Sequence, residues 1–427
     1  MTVLSMFLGV GLIVLLALGV PIAFALGALT VGGLLIADIN PVIFAQRVLA
    51  GASIPSLLAL PGFILAGDIM GAGGLSRRLV RVASALLGHL TGGLSIATVF
   101  AGGFFGAISG SAPATTAAVG SIMVDELERN GYERDYAAAL ATAVGPLGQM
   151  IPPSVPMVVW GVLAEQSISR LFLAGVVPGV LACLGFIGVS MWYARRQRIK
   201  RDRRATKKEL LHALQDGFWA LLAPVIILGG IYGGAFTPTE ASMVGVFYGV
   251  ITGLFIYREL TLKSLVVVIT KSMRLTGIIM FIVIMAYGYA YLMANEQVPL
   301  QVANVLFAMT DNPIIILLLV NIVLLFLGAV MDNIAAMVIL SGVLSTIGVQ
   351  VGMDPIQLGA MVVINFAVGM VTPPVGYSIF VAAAISGLKI EQIARRLLPF
   401  LLVLIGVVLL ITYVPAVTMA LPTLIHP

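Results

Sequence analysis

Long apolar runs, separated by short polar or basic stretches, occur along the whole chain. Four of them are Val3 to Ile36, Leu171 to Tyr193, Ile314 to Val330 and Leu397 to Val417. A helix needs about 20 apolar residues to cross the hydrocarbon core of a bilayer. The pattern therefore predicts an all-α polytopic membrane protein, with the lipid membrane as its main surroundings.

Composition agrees with this prediction and argues against several other classes of protein. Of the 427 residues, 60% are hydrophobic and 10% are charged, whereas soluble proteins carry about 25% charged residues. The basic residues lack interleaved aromatic residues, so we expect no nucleic-acid partner. One cysteine and three histidines leave no disulfide framework and no Cys/His metal cluster. Without a Ser/His/Asp set, the sequence does not predict an enzyme.

Four landmarks recur after about half of the chain. They are Gly106, Gly148, Pro152 and Pro178 in the first half, and Gly328, Gly369, Pro373 and Pro399 in the second. Both Pro152 and Pro373 open a double proline, and they lie 221 positions apart (373 − 152). Four landmarks in register predict an internal duplication, with a first repeat at 1–194 and a second repeat at 217–427.

The basic residues predict that the two repeats have opposite orientations. The run Leu171 to Tyr193 ends at a dense basic segment, whereas Leu397 to Val417 has its basic residues before it. Cytoplasmic loops carry the excess of Lys and Arg. We therefore expect a cytoplasmic linker at 195–216 and periplasmic N- and C-termini. A second cytoplasmic loop is expected around four further residues: Arg258, Lys263, Lys271 and Arg274.

Two amphipathic segments are expected to be arm helices along the membrane faces, at about 75–90 and about 296–312. The first carries Arg77, Arg78 and Arg81, whereas the second has no Lys or Arg. The first should therefore lie on the cytoplasmic face and the second on the outer face.

The segment from Ala101 to Ser121 is too rich in Gly, Ser, Thr and Pro for an ordinary lipid-facing helix, yet it carries no charge. Irregular backbone is tolerated at membrane depth only where protein buries it or where it lines a cavity. We expect a re-entrant helical hairpin at about 93–128, with Ser109, Gly110 and Ser111 at its tip. The repeat interval predicts a second hairpin at about 314–350, with its tip at Asp332 and Asn333.

The double prolines predict a broken transmembrane helix in each repeat, at about 137–163 and about 356–386. Prolines remove backbone donors and interrupt helices. In transporters, freed carbonyls and half-helix ends near the bilayer midplane bind ions and substrates. Two tips and two breaks together predict one central cavity with two similar cation sites.

Each of these features has a simpler explanation. Ser109, Ser111 and Thr115 fit plain helix packing, and a double proline can be a kink. Asp332 can be a structural residue, although a carboxylate between long apolar runs is by default a candidate functional residue. The functional interpretation depends on the recurrence of these features in both halves.

Four motifs carry a resemblance to a known family. They are GAISGSAPATT at 106–116, IPPS at 151–154, TPTE at 237–240 and TPPVG at 372–376. Together they resemble the large permease subunit of tripartite ATP-independent periplasmic (TRAP) transporters. The resemblance implies the elevator-type fold of the ion-transporter superfamily and a location in the bacterial inner membrane. It also implies sodium symport of an organic acid anion, of the C4-dicarboxylate or sialic-acid type.

The resemblance implies two partners and a set of binding residues. The partners are a small four-helix membrane subunit (Q type), which we expect to be a separate chain, and a periplasmic substrate-binding protein (P type). Sodium, the coupling ion, would be bound by Ser109, Ser111, Asp332, Thr372 and nearby carbonyls, with no organic cofactor. The implied sodium and substrate residues are Ser109, Gly110, Ser111, Thr115, Gly148, Pro152 and Pro153, and Asp332, Asn333, Gly369, Thr372, Pro373, Pro374 and Gly376. Glu240 is a further candidate, because it lies in the TPTE motif.

The predicted cavity segments contain no Lys or Arg, so an anion would meet no fixed positive side chain there. We therefore expect bound sodium to neutralise the site and make anion binding possible, which couples the two by linkage. A stand-alone ion-coupled carboxylate transporter of the same superfamily, needing no binding protein, is the main alternative. A channel is another, because re-entrant loops also build pores.

Overall fold

A computed structural model describes residues 3–201, 203–373 and 375–425, and the regular structure in these ranges is helical. Eleven α-helices precede the basic linker: α1 Val3–Ala17, α2 Ile22–Ile36, α3 Val42–Ala52, α4 Ala59–Ala72, α5 Leu75–Leu87, α6 Gly93–Ser109, α7 Ala112–Arg129, α8 Arg134–Ala143, α9 Leu147–Met150, α10 Val155–Leu163 and α11 Ile168–Arg196. A 3₁₀ turn, Pro55–Leu58, leads into α4.

Ten α-helices follow the linker: α12 Lys207–Tyr232, α13 Pro238–Ile251, α14 Leu262–Asn295, α15 Val298–Met309, α16 Pro313–Val330, α17 Asn333–Gln350, α18 Pro355–Gly369, α19 Tyr377–Ser386, α20 Ile390–Tyr413 and α21 Pro415–Ile425. A π-helical turn, Thr252–Ile256, extends α13. In the described ranges, eight helical segments are long and apolar enough to cross a membrane. The prediction of an all-α polytopic protein is confirmed.

Glycines and prolines determine where the helices around the candidate site begin and end. Gly92 adopts a left-handed φ of +75° immediately before α6, a conformation that glycine adopts without steric cost. Gly110, immediately after α6, also has a left-handed φ, of +63°. Pro113 lies in the first turn of α7, where the missing N–H costs nothing. Two non-helical residues therefore separate α6 from α7, which pack against each other.

The apolar run from Val3 to Ile36 forms two helices of 15 residues each, because Gly19 has a φ of +80° and Pro21 follows it. The expectation of a loop that extends from Arg258 to Arg274 is wrong. The loop before α14 is short, because Thr261 and Ser264 form a capping box that starts α14 at Leu262. Lys271 therefore lies within a 34-residue helix.

Helices α4 and α14 form a wall beside two turns, the one between α6 and α7 and the one between α16 and α17. On one side α4 packs against α13 and α14, and on the other against α6 and α10. Helix α14 also contacts α17. The small residues of α4 allow this close packing: a Cβ added to Gly67 would lie 2.9 Å from the Cα of Ser109. The last residue of α6 is thereby held against the wall.

Candidate functional site

The tip between α6 and α7 is a tight turn anchored by its own hydroxyl groups. The Ser109 and Thr115 hydroxyls lie 2.9 Å apart. The Gly110 N–H donates to the carbonyl of Gly106, and the Gly110 carbonyl accepts from the Val155 N–H at 3.2 Å. The tip of the first helix pair therefore contacts the chain just beyond the first double proline.

The first double proline lies behind this tip, and glycines make the approach possible. A Cβ on Gly110 would lie 2.9 Å from the Pro153 carbonyl oxygen. A Cβ on Gly148 would lie 2.4 Å from the Thr115 hydroxyl oxygen and 2.7 Å from the Ser111 carbonyl oxygen. Pro152 and Pro153 occupy the non-helical stretch between α9 and α10. A side chain at Gly148 would push the tip and the break apart.

The tip between α16 and α17 is capped by a carboxylate. Asp332 Oδ1 accepts hydrogen bonds from the N–H groups of Ile334 at 2.9 Å and Ala335 at 3.2 Å. Asn333 begins α17 and is buried. Its Nδ2 donates to Gln149 Oε1 at 3.0 Å, so a direct hydrogen bond joins the second tip to the first proline break.

The second proline break packs on the second tip in a similar way. A Cβ on Gly369 would lie 2.6 Å from the carbonyl carbon of Gly328. The Gly376 N–H donates to the Ala329 carbonyl at 3.1 Å, and its φ is +53°. The Thr372 hydroxyl, beyond the end of α18, donates to the carbonyl of Val368 in the last turn of that helix. Pro373 lies in the break, whereas the prediction for Pro374 falls outside the described residues.

A cavity of about 340 Å³ lies between the two tips. Five of the predicted site residues line it: Ser109, Gly110, Ser111, Asp332 and Asn333. Its charged lining residues in the described ranges are Asp68 and Asp332, and none of the described lining residues is a lysine or arginine. An anion in this cavity faces two carboxylates and no fixed positive side chain.

The other predicted residues lie outside this described lining. Thr115, Gly148, Pro153, Gly369 and Gly376 contact the tip segments from behind. Pro152, Thr372 and Pro373 lie in the two breaks. Glu240 lies away from the cavity lining, at the start of α13. Its carboxylate accepts hydrogen bonds from the N–H and the hydroxyl of Thr237 in a capping box. Its carboxylate therefore has a local structural role.

Several residues that line the cavity are absent from the sequence prediction. Asp68 lines it from α4, and Gln149 and Met370 line it from the proline breaks. Asp68 is a lone carboxylate in an apolar helix, so the criterion that singled out Asp332 also applies to it. Gln149 lies beside the first double proline, where the sequence predicts a role for backbone carbonyls only. Its buried side chain bonds to Asn333 Nδ2 and donates to the sulfur of Met370 at 3.5 Å.

Comparisons with known proteins agree in family and in fold. The family model described as "Tripartite ATP-independent periplasmic transporter, DctM component" matches residues 9–417. The isethionate TRAP transporter permease protein DctMQ of Oleidesulfovibrio alaskensis is 42% identical over 95% of this chain. The chain spans 64% of that protein's length.

Two further relatives match over most of both chains. The C4-dicarboxylate TRAP transporter large permease protein DctM of Pseudomonas aeruginosa is 42% identical over 86% of each chain. The sialic acid TRAP transporter large permease protein SiaM of Vibrio cholerae is 33% identical over 96% of each.

Among solved structures, the YdaH transporter of Alcanivorax borkumensis has a similar fold. Its TM-score is 0.67 at 15% identity, over 99% of this chain and 100% of that one. The family match extends over nearly all of the chain, including both helix pairs and both proline breaks. This chain belongs to the DctM component family of the tripartite ATP-independent periplasmic transporters.

Proposed function

We propose that this chain is the large permease subunit of a sodium-coupled symporter that imports an organic acid anion across the bacterial inner membrane. The observation that carries the proposal is the lining of the central cavity. Two carboxylates and several hydroxyl and amide groups surround it, and no described lysine or arginine lines it. Such a cavity favours cations, and it accepts an anion only when bound cations offset the carboxylates.

Sodium is the coupling ion in this proposal, with one site beside each tip. Ser109 and Ser111 supply oxygens at the first tip, and Asp332 and Thr372 supply them at the second. Hard cations of this kind prefer oxygen ligands. Each bound ion lowers the local negative charge, so sodium and the acid each raise the other's affinity by the same factor.

Two inverted repeats that move as an elevator are the proposed architecture for this transport. In each half, a glycine of the tip helix packs on a glycine of the broken helix: Gly106 on Gly148, and Gly328 on Gly369. Gln149 and Met370 lie 221 positions apart (370 − 149), the interval between the two double prolines, and they contact each other. Equivalent residues meet in this way beside a two-fold axis.

The proposed partners are a small four-helix membrane subunit and a periplasmic substrate-binding protein, as the family description implies. The name of the isethionate relative combines DctM and DctQ, and that protein is longer than this chain. A second membrane component for this chain would account for the difference. The proposed topology places the 195–216 linker in the cytoplasm and both termini in the periplasm, in keeping with the basic linker.

Reconstituted uptake tests the proposal. The chain would be co-purified with the small subunit encoded beside it, placed in liposomes and supplied with the neighbouring binding protein. The panel of acids would be isethionate, succinate and sialic acid, chosen from the substrates that name the relatives. We expect uptake of one of them only under an inward sodium gradient. Uptake that proceeds equally well in potassium would overturn sodium coupling.

A stand-alone carrier remains the second candidate, since the fold of the YdaH transporter is similar to that of the entire chain. The two candidates differ in one requirement. A TRAP transporter needs its binding protein, whereas a stand-alone carrier does not. Sodium-driven uptake that is unchanged when the binding protein is left out would favour the stand-alone carrier.

A further inference from the structure

A second cavity, of about 420 Å³, adjoins the central one. The two share three lining residues, Gly67, Asp68 and Ala114. Lys271 lines the second cavity beside Asp68, and Arg77 and Glu259 line it as well. Under the proposed topology these basic residues face the cytoplasm. Asp68 therefore lies at the junction between the binding cavity and a vestibule that leads to the cytoplasm.

The two carboxylate oxygens of Asp68 have contacts of unequal strength. Its Oδ2 accepts a hydrogen bond of 2.7 Å from the Ser272 hydroxyl. Its Oδ1 lies 3.8 Å from Lys271 Nζ, and the Lys271 side chain is 76% exposed. An ion pair at this distance with one exposed partner is weak, because water screens it and the lysine is free to rotate away. The ammonium group of Lys271 can therefore exchange one anionic partner for another.

The charge along this route changes from negative to balanced, because Arg77 and Lys271 offset Asp68 and Glu259 in the lining of the second cavity. The central cavity contains Asp68 and Asp332 as its described charged lining residues. Lys271, paired with Asp68 at the junction, is the first basic residue on the way out. Arg77 lies on the vestibule wall, 3.7 Å from Glu259. An anion that leaves the cavity must pass the Asp68 carboxylate, and Lys271 is the described cation placed to offset that repulsion.

We propose that Lys271 is a specificity-determining residue for the release of the organic acid, and that Asp68 is the counter-ion that competes for it. The inference rests on the proposed function. A carboxylate or sulfonate leaving the cavity takes the place of Asp68 beside the Lys271 ammonium group. When the anion moves on into the cytoplasm, Asp68 pairs with Lys271 again. A neutral analogue of the substrate gains nothing from this exchange.

The exchange predicts opposite effects for the two members of the pair. Lys271→Gln removes the attractive charge, so the acid binds more weakly from the vestibule side. Asp68→Asn removes the competitor and leaves an oxygen to accept from Ser272, so the acid binds more tightly from that side and leaves more slowly. A pair that only supports the packing of α4 on α14 would give effects of the same sign.

The test uses the complex with its small subunit in liposomes whose orientation is determined by protease access to the 195–216 linker. Radiolabelled succinate, or isethionate if the wild type prefers it, is applied on the linker side. The measured quantity is the half-saturating concentration, which is the acid concentration that gives half-maximal transport from that side. We expect Lys271→Gln to raise it about tenfold, equivalent to about 1.4 kcal/mol, and Asp68→Asn to lower it about threefold. Lys271→Arg should stay within about twofold of wild type.

Lys263→Gln is the matched control, because Lys263 lies on the same helix, is exposed and is outside the described lining of both cavities. Its half-saturating concentration should equal that of the wild type. If both pair variants shift this concentration in the same direction, or neither shifts it, the inference is overturned while the proposed function stands. If the wild-type complex shows no sodium-driven uptake of any acid in the panel, the proposed function fails and this inference fails with it.

Discussion

Replacement of Asp332 by Asn is the substitution that best separates a role in sodium binding from a role in folding. Asp332 Oδ1 caps α17 by accepting from two N–H groups, those of Ile334 and Ala335. An asparagine side chain offers an oxygen of the same geometry, and Asn and Asp are about equally good N-caps. The substitution therefore removes the negative charge and leaves the cap, so it should change the free energy of unfolding by less than about 0.5 kcal/mol.

The loss of charge should have a much larger effect on the binding of a cation. Two unit charges about 4 Å apart interact by about 4 kcal/mol at an effective dielectric constant of about 20, and by about 2 kcal/mol at about 8 Å. Asp332 lines the same cavity as the hydroxyl of Ser109 and the amide of Asn333, so these neighbours still supply oxygens to the ion. We expect the half-saturating sodium concentration to rise by about tenfold to a hundredfold, or about 1.4–2.8 kcal/mol.

The assay is sodium-dependent uptake in proteoliposomes, with thermal unfolding of the same preparation as the measure of stability. The matched control is Asp354→Asn. Asp354 caps α18 through hydrogen bonds to the N–H groups of Ile356 at 2.7 Å and Gln357 at 3.3 Å, but it is not among the described residues lining the cavity. Both variants should unfold like the wild type, and only Asp332→Asn should require more sodium.

One result would refute this reasoning about Asp332. A purified Asp332→Asn protein that transports with the same half-saturating sodium concentration as the wild type would show that the carboxylate is only a helix cap. An equal rise in Asp354→Asn would lead to the same conclusion, because the effect would then come from capping.

Three further predictions concern the supports of the site. Gln149→Ala leaves the Asn333 amide without its buried partner, so thermal unfolding should show a loss of about 1–3 kcal/mol; an unchanged stability would mean that water replaces the amide. Gly106→Ala places a Cβ 2.9 Å from Gly148 backbone atoms and should cost about 1–3 kcal/mol and abolish uptake, whereas Gly188→Ala, with nothing within 4 Å, should do neither. Glu240→Ala should lower the unfolding temperature slightly through the lost capping box without changing the sodium requirement, and a changed sodium requirement would show that Glu240 is a site residue.

Interactions within a few residues determined much of what the amino-acid pattern predicts about this protein. The apolar runs specify helices that cross a membrane, because water cannot solvate such segments. Gly110 and Pro113 end one helix and begin the next through their own backbone preferences. Asp332 begins α17 because its carboxylate reaches N–H groups two and three residues further on.

Tertiary packing alone decided which of the polar residues share a cavity. The hydrogen bond between Gln149 and Asn333 joins residues 184 positions apart, and Lys271 meets Asp68 across two separate helices. No local pattern identifies such partners, since any of the polar side chains of these helices could face lipid, a neighbouring helix or a cavity. Glu240 is the opposite case: its motif belongs to the same family resemblance, but its carboxylate bonds Thr237, three residues earlier, in a local capping box.

The amino-acid sequence by itself therefore determined the class of protein, the helix ends at the tips and breaks, and the absence of Lys and Arg from the segments that form them. Only the tertiary structure decided that α4 and α14 bring Asp68 and Lys271 to the edge of the cavity. The physical reason is range: backbone preferences act over a few residues, whereas the electrostatics of a buried cavity depend on every charge brought within several ångströms of it.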